Sequence, residues 1–204
     1  MIVLLDAYHL GDPLFLTGFT RDVARYDQPA PLILVHGAGE AAERALEASG
    51  QDVARVGGVL AVRSEQEAAT VERAARELGR EITHALNEAG VAAVRFTGAD
   101  RGLLRQGTDG VKANAGWLLA LARQGAVPVV TALAAGGGEG ALREVPAAAA
   151  AVALARATGL PVGLLGGRDA REEGRLAARM ADRDGVEVVE NARSGWNRGA
   201  GLGG

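Results

Sequence analysis

The chain has 204 residues, enough for one domain with a full hydrophobic core, and its 48% hydrophobic and 23% charged residues are typical of a globular protein. A net charge of −3 argues against nucleic acid as a partner, and the absence of cysteine excludes disulfides, cysteine-ligated metals and thiol catalysis. No apolar run is long enough to cross a membrane and no signal peptide is recognisable, so we expect a cytoplasmic protein without a membrane partner.

Short apolar segments alternate with helical ones along the chain. The segments lack period-2 alternation, as expected for strands that are buried on both faces of a parallel sheet. This pattern predicts an α/β fold, a three-layer sandwich with a mainly parallel central sheet. The candidate strands are Ile2–Leu5, Leu32–Val35, Val59–Val62, Ala93–Phe96, Val127–Thr131, Val162–Leu165 and Val186–Val189.

The clearest predicted helix runs from Ser64 to about Asn87. Ser64 and Glu67 have capping-box spacing, so each can accept a hydrogen bond from a backbone N–H at the start of the helix. An apolar stripe recurs at helical spacing, and it could pack on the sheet or pair two subunits. Its members are Val71, Ala75, Leu78, Ile82 and Ala85.

We predict a single domain over residues 1–192. Residues 193–204 contain five glycines, a composition that predicts a disordered tail. Trp196 lies in this tail, and we expect it to be loosely packed rather than a docking anchor.

The strongest local signal is the sequence PLILVHGAGEAAERAL, residues 31–46. A buried strand leads into Gly37, Ala38 and Gly39, and a helix follows. Such a turn can bind a phosphate or a carboxylate through backbone N–H groups, or its glycines can simply supply backbone freedom. The letters GAGEAA also satisfy a loose dinucleotide-binding pattern, although the turn follows the second strand rather than the first.

A second turn, Thr97 to Gly102, follows another buried strand and is expected at the same edge of the sheet. Gly98 and Asp100 are the candidate ligand-binding residues of this turn. Asp100 could instead cap the turn, which is the commoner role of an aspartate beside glycine. No grouping of histidines has the spacing of a metal site, and we expect no metal ligand and no cofactor.

Taken in order, these segments resemble the amino acid kinase family, in particular its acetylglutamate kinases. LILVHGAGE is similar to the family's Val-His-Gly-Gly-Gly turn, and LNEAGVAAVRFTGADRGLL to its Gly-Leu-Ser-Gly-x-Asp-Gly segment. The resemblance continues through VKAN at residues 111–114 and covers about residues 1–165. It implies a substrate half followed by a nucleotide half, with ATP and magnesium phosphorylating the side-chain carboxylate of an N-acyl amino acid.

The departures from the family lie where that chemistry takes place. The family has a lysine at the end of its first strand, and the corresponding stretch here, Leu5–Tyr8, has Asp6 and no lysine. The family's second catalytic lysine, in the nucleotide half, has no counterpart, because Lys112 is the only lysine and lies far upstream. Residues 144–148, Glu-Val-Pro-Ala-Ala, replace Asn-x-Asn-Ala-Asp. The substrate arginine falls near Ala61, with Arg63 as the replacement. After Leu165 the family's nucleotide-lobe motif is absent, so the resemblance implies a truncated lobe.

These departures predict a kinase-like protein without phosphoryl transfer and without catalytic residues. We expect it to retain a small-anion or acyl-amino-acid pocket with a binding or regulatory role, as a homodimer or as the partner of an active kinase. One alternative is an active acetylglutamate kinase that uses ATP and Mg²⁺, and another is a dinucleotide-binding protein. The pocket residues are Gly37, Ala38, Gly39, Arg63, Gly98 and Asp100; arginines that could replace the lysines are Arg101, Arg143 and Arg168.

Overall fold

A computed structural model describes residues 1–12, 14–26, 30–135, 142–168 and 171–196. The described strands are β1 (Ile2–Leu5), β2 (Ile33–His36), β3 (Arg55–Val56), β4 (Val59–Leu60), β5 (Ala93–Thr97), β6 (Leu104–Gly107), β7 (Gly110–Ala113), β8 (Val127–Thr131), β9 (Leu133–Ala135), β10 (Leu142–Glu144), β11 (Val162–Leu164) and β12 (Val188–Val189). The described α-helices are α1 (Ala7–Gly11), α2 (Phe15–Ala24), α3 (Gly39–Ala48), α4 (Glu65–Glu88), α5 (Gly116–Arg123), α6 (Ala147–Thr158) and α7 (Glu172–Asp184).

Six strands form the central sheet in the order β12-β11-β1-β2-β8-β5, and every neighbouring pair is parallel. The predicted parallel α/β architecture is therefore confirmed. The prediction of a sheet strand at Val59–Val62 is wrong. Positive φ angles at Gly57 and Gly58 turn the chain back on itself, so β4 pairs with β3 in an antiparallel hairpin outside the central sheet.

Hydrophobic side chains cover both faces of the central sheet. One face packs against α2 and α4 and includes Phe19 and Ile82, whereas the other packs against α5, α6 and α7. All of the first nine residues of α6 are buried, and seven of them are alanine, so this helix can lie close to the sheet and to α7. The core therefore forms two layers that fix the position of each strand end.

Helix α4 begins as the sequence predicts. The Ser64 side chain accepts a hydrogen bond from Glu67 N–H, and the Glu67 carboxylate accepts one from Arg63 N–H. Two members of the predicted stripe, Leu78 and Ala85, are only half-buried, whereas the buried residues of α4 pack inside the subunit against α3 and the sheet. These buried residues are Val71, Ala75, Gly79, Ile82 and Leu86.

A second, four-stranded sheet in the order β10-β9-β6-β7 continues from the end of β8. Ala132 N–H donates to the His36 carbonyl, and Val145 N–H donates to the Ala132 carbonyl, with N–O distances of 2.8 and 2.9 Å. Through these two bonds, the end of β2 and the residue that follows β10 both contact Ala132. As a result, Glu144 at the end of β10 comes next to the glycine turn that follows β2.

The expectation that Trp196 is loosely packed is wrong. Its side chain is buried, and its ring lies 5.7 Å from the Phe19 ring and 5.3 Å from the Tyr26 ring, measured between centroids. Residues 197–204, the rest of the predicted tail, lie outside the described residues, and the domain boundary at 192 stays a prediction. Among the described helices, none is long and apolar enough to cross a membrane.

Candidate functional site

The carboxyl ends of β1 and β11 flank the point where the sheet topology changes direction. The chain runs from β1 to β2 on one side and reaches β11 on the other, and ligands of open α/β sheets bind in the crevice at such a point. Here the crevice contains a cavity of about 10 Å³, lined among others by Asp6 and Gly167. This volume holds about one water molecule.

The predicted glycine turn, Gly37–Gly39, joins β2 to α3 and carries a carboxylate of the same chain. Glu144 Oε1 accepts a hydrogen bond of 2.8 Å from Ala38 N–H, and its Oε2 accepts one of 3.2 Å from Leu60 N–H. A Cβ placed on Gly37 would lie 3.2 Å from Glu144 Oε1, so the glycine lets the carboxylate come close. The Ala38 N–H of this turn therefore has the Glu144 carboxyl group of the same chain as its partner, and binding of an external anion stays a prediction.

Gly39 has a φ of +66° at the start of α3, a conformation that favours glycine. Arg55 fastens this turn to the β3–β4 hairpin. Its guanidinium donates to Glu43 Oε1 at 2.6 Å and to the carbonyls of Gly39 and Gly58 at 3.3 and 3.4 Å. The hairpin is therefore held where Leu60 N–H can reach Glu144.

A buried polar pair supports the turn from below. His36 Nδ1 lies 2.8 Å from the Gly37 carbonyl, and Nε2 lies 3.1 Å from Thr131 Oγ1. Because a carbonyl can only accept, Nδ1 carries the proton and the threonine hydroxyl donates to Nε2. Burial lowers the pKa of the His36 imidazole to about 4, so the ring is neutral at pH 7.

At the end of β1, as at the end of β2, a backbone N–H donates to a glutamate that is distant in sequence. Glu173 Oε2, from α7, accepts a hydrogen bond of 3.1 Å from Ala7 N–H. Asp6, the residue at the place of the family's lysine, is buried and caps α1 through a 2.9 Å bond from His9 N–H; it also contacts His9 Nδ1 at 2.8 Å. Two carboxylates therefore occupy the end of the first strand.

The cluster raises the pKa of two of its members. Burial raises the pKa of the Glu173 carboxyl to about 7; the Ala7 N–H opposes this, and the charge of Asp6 adds to it. Burial also raises the pKa of the Glu144 carboxyl, against hydrogen bonds from Ala38 and Leu60 and the charge of Arg55. At both groups desolvation by burial is the largest cause of the rise in pKa.

The second predicted turn, after β5, is closed by its own aspartate. Asp100 Oδ2 accepts a 2.7 Å hydrogen bond from Thr97 N–H, so the capping alternative is the one that the structure shows. Gly98 is buried, and the position requires glycine because a Cβ there would lie 2.5 Å from both the Leu133 carbonyl oxygen and Leu104 Cδ1. Both residues have structural roles in this turn.

The contacts given for the side chains of two predicted arginines are with residues outside the Gly37–Gly39 turn. Arg101 stacks on Trp117, with 5.1 Å between its guanidinium carbon and the ring centroid, and Arg168 forms ion pairs with Asp182 and Glu190. Arg63 is exposed and contributes its backbone N–H to the cap of α4, and Arg143 is exposed on β10. Within the described ranges, no hydrogen bond or ion pair joins these four side chains to the Gly37–Gly39 turn.

Sequence reasoning missed three residues of the site. Glu173 belongs to a charged stretch, residues 168–184, whose sequence favours a solvated helix face, whereas in the structure Glu173 Oε2 accepts a hydrogen bond from Ala7 N–H. Arg55 and Glu144 gave no local motif, since their partners lie far away in sequence. A weak signal did exist for Glu144, which stands where the family has a substrate-binding amide.

Comparisons with known proteins agree on the family. A model of the amino acid kinase family matches residues 9–162, well over half of the chain. An acetylglutamate kinase of Chloroflexus aggregans is 35% identical over 104 residues, and one of Chloroflexus aurantiacus is 32% identical over the same length. Each alignment covers 51% of this chain and only 40% of the relative, so the similarity spans less than half of those enzymes.

Solved structures with low sequence identity share the fold. N-acetylglutamate synthase from Neisseria gonorrhoeae superposes with a TM-score of 0.69 at 17% identity, covering 95% of this chain and 55% of that one. An isopentenyl phosphate kinase superposes with a TM-score of 0.64 at 16% identity, covering 94% and 91%. Together with the family match, the parallel sheet and the glycine turn after β2 establish that this chain belongs to the amino acid kinase family, with similarity to acetylglutamate kinases over half its length.

Proposed function

We propose that this chain is an acetylglutamate-kinase-like protein that does not transfer phosphoryl groups and that acts by binding a small anion or an acyl amino acid. The observation that carries the proposal is the set of three carboxylates, Asp6, Glu144 and Glu173, at the ends of β1 and β2. A phosphoryl group in transfer carries negative charge that placed cations must neutralise. Carboxylates at that position oppose the transfer.

ATP and magnesium do not fit the side chains present at these strand ends. Lys112 lies on β7 with its side chain 72% exposed and 3.6 Å from Asp109. Arg55 is the arginine beside the turn, and its donors are bonded to Glu43 and to two backbone carbonyls. In the described part of the chain, no three His, Asp or Glu side chains are grouped so that they could hold a metal ion.

The binding role is supported by the turn after β2. Ala38 N–H and Leu60 N–H point at one carboxylate from two different elements, an arrangement that suits a ligand carboxylate equally well. Similarity to acetylglutamate kinases makes an N-acyl amino acid the ligand class to test first. The dinucleotide-binding alternative has less support, because the glycine turn follows β2, whereas the dinucleotide pattern belongs to the turn after the first strand.

One observation favours the alternative of an active kinase. Arg55 lies beside the glycine turn, where a cation would be useful, and rotation away from Glu43 would release its guanidinium. Arginine carries the positive charge that a lysine would supply, although with a different geometry. The Arg55→Gln variant therefore separates the two functions if any turnover is found.

The test is an assay of the purified chain with ATP, Mg²⁺ and N-acetylglutamate, with an acetylglutamate kinase of Chloroflexus aggregans as the positive control. We expect ADP release no faster than with ATP alone, and a saturable rise in melting temperature with an acyl amino acid. Turnover of about 1 s⁻¹ or more, abolished by Arg55→Gln, would establish the active kinase instead. Absence of both turnover and ligand stabilisation would refute the binding role.

We also propose that the chain is a homodimer or associates with an active kinase. Three of the five residues of the α4 stripe, Val71, Ala75 and Ile82, are buried within the subunit, so an interface would draw mainly on other surface. Light scattering at micromolar concentration tests the first option, and co-elution with an acetylglutamate kinase tests the second. A monomer in both experiments would refute the proposal.

A further inference from the structure

The Glu144 carboxylate occupies the position that an external anion would take at the Gly37–Gly39 turn. It uses both of its oxygens, one on Ala38 N–H at 2.8 Å and the other on Leu60 N–H at 3.2 Å. The three partners come from widely separated parts of the chain, with 106 residues between Ala38 and Glu144 and 84 between Leu60 and Glu144. The contact is therefore a tertiary one, and local turn formation does not require it.

The surroundings allow this carboxylate to leave without loss of the fold. The turn keeps its geometry through other bonds, because Ala132 N–H holds the His36 carbonyl and Arg55 holds the Gly39 carbonyl. β10 is likewise kept in place by its pairing with β9 and by the bond from Val145 N–H to Ala132. Glu144 is the last residue of β10, so rotation of its side chain disturbs neither of these contacts.

The Glu144 carboxyl group is buried, and burial is the largest cause that raises its pKa. The charge of Glu43 adds to the rise, whereas the two backbone donors and the charge of Arg55 oppose it. Gly37 provides the space that the carboxylate occupies, because a Cβ there would lie 3.2 Å from Glu144 Oε1. A ligand oxygen can take that space only when the Glu144 side chain leaves it.

We infer that Glu144 is an autoinhibitory internal ligand, which keeps the Gly37–Gly39 turn closed to external carboxylates until it is displaced. This inference deepens the proposed function, because it concerns the regulation of the same turn, and it rests on that proposal for the physiological ligand. It predicts that the resting protein binds small carboxylates weakly and that removal of the Glu144 side chain exposes both N–H donors.

The experiment titrates acetate, at constant ionic strength, into the wild-type chain, Glu144→Ala and Glu144→Gln, and follows the amide signals of Ala38 and Leu60 by NMR. We expect a saturable shift of both amides in Glu144→Ala, with an acetate affinity at least tenfold higher than in the wild-type chain. Glu144→Gln keeps one acceptor oxygen and removes the charge, so its affinity should lie between the two. Chloride in place of acetate controls for charge screening.

Glu47→Ala is the matched control, because it removes an exposed glutamate from α3 without contact to the turn. It should respond to acetate as the wild-type chain does. Equal acetate responses of the wild-type chain and Glu144→Ala would overturn the inference, and so would shifts that spare Ala38 and Leu60. Unfolding of both Glu144 variants would also overturn it, because a contact that the fold requires cannot be a displaceable inhibitor.

The result can be distinguished from failure of the proposed function. Phosphorylation of N-acetylglutamate by the wild-type chain would refute the non-catalytic proposal, yet the acetate titration would still show whether Glu144 closes the turn. Conversely, the absence of an acetate-induced shift of the Ala38 amide in a folded Glu144→Ala variant would refute the inhibitory role of Glu144. That result would not bear on the proposed lack of phosphoryl transfer.

Discussion

Two turns at the carboxyl edge of the sheet bind a carboxylate with a backbone N–H, and they differ in where the carboxylate comes from. The turn after β5 uses Asp100, three residues from its donor Thr97. The turn after β2 uses Glu144, 106 residues from its donor Ala38. A local partner closes a turn permanently as part of chain folding, whereas a distant partner can be exchanged for a ligand. This difference makes the β2 turn the better candidate for a binding site.

The largest difference between the two turns should appear when alanine replaces their glycines. Neither Gly98 nor Gly37 has a positive φ, so only the available space differs. In Gly98→Ala the new Cβ would lie 2.5 Å from the Leu133 carbonyl, a backbone atom, and we expect a loss of about 3 kcal/mol in the free energy of unfolding. Urea unfolding measures it.

Gly37→Ala is the matched control for this prediction. Its Cβ would meet Glu144 Oε1 at 3.2 Å, the end of a flexible side chain that can move aside. We expect a loss of about 1 kcal/mol or less. Equal losses at the two positions would contradict the view that the β5 turn is closed by packing and the β2 turn by a movable group.

The buried imidazole beneath the β2 turn predicts a pH dependence that the β5 turn lacks. The pKa of His36 is about 4 in the folded chain and near 6.5 when unfolded, so the unfolded state takes up the proton first as pH falls. Stability contributed by the neutral ring is complete above pH 6.5 and is lost towards pH 4. Between pH 6.5 and 4.5 the loss is on the order of 2 kcal/mol.

The measurement compares unfolding free energies of the wild-type chain and His36→Gln at these two pH values. Glu173 acts in the opposite direction over the same window, so the difference between the two proteins isolates the histidine. His84→Gln, an exposed change on α4, should leave the pH dependence unaltered. A His36→Gln variant with the wild-type pH slope would show that the imidazole is not held neutral.

The end of β1 should show the reverse pH behaviour. Burial raises the folded-state pKa of Glu173 to about 7, above an unfolded value of 4.5, so stability from this group is complete below pH 4.5 and lost as pH rises through 7. Glu173→Gln removes this loss and keeps an acceptor for Ala7 N–H. We expect it to gain about 1–2 kcal/mol over the wild-type chain on going from pH 5 to pH 8.

Thermal or urea unfolding at both pH values tests this prediction. Glu172→Gln, the exposed neighbour on α7, serves as the control and should change the pH dependence little. A loss of stability of Glu173→Gln at pH 8 would contradict the prediction. It would mean that the hydrogen bond from Ala7 N–H to the ionised carboxylate stabilises the fold by more than the burial of this charge near Asp6 and Glu144 destabilises it.

The smallest effect concerns the local cap of the β5 turn. Asp100→Ala removes the acceptor of the Thr97 N–H, and because Asp100 is exposed, water can replace it in part. We expect a loss of about 1 kcal/mol in the free energy of unfolding and no change in ligand binding. Asp109→Ala, on the β6–β7 hairpin, is the exposed control. A change in acyl-amino-acid affinity in Asp100→Ala would place this turn in the binding site after all.

Features that depend on neighbours along the chain could be predicted from the sequence. Apolar runs predicted six of the strands of the parallel sheet, since a strand buried on both faces must be apolar throughout. The pair Ser64 and Glu67 predicted the start of α4, and Asp100 beside glycine predicted a turn cap, because each of these groups reaches its partner within one turn of backbone.

The groups that fill the site could not be predicted from the sequence, because long-range packing brings them together. Glu144 reaches Ala38 because strand pairing at Ala132 sets β10 beside β2, and Glu173 reaches Ala7 because α7 packs beside the end of β1. Trp196 is buried for the same reason, through contacts with Phe19 and Tyr26 that no local pattern contains. From the sequence, a carboxylate on a helix or at a strand end is expected to be exposed to solvent. Its hydrogen-bond donor comes from a distant element, so the chemistry of this site depends on long-range contacts.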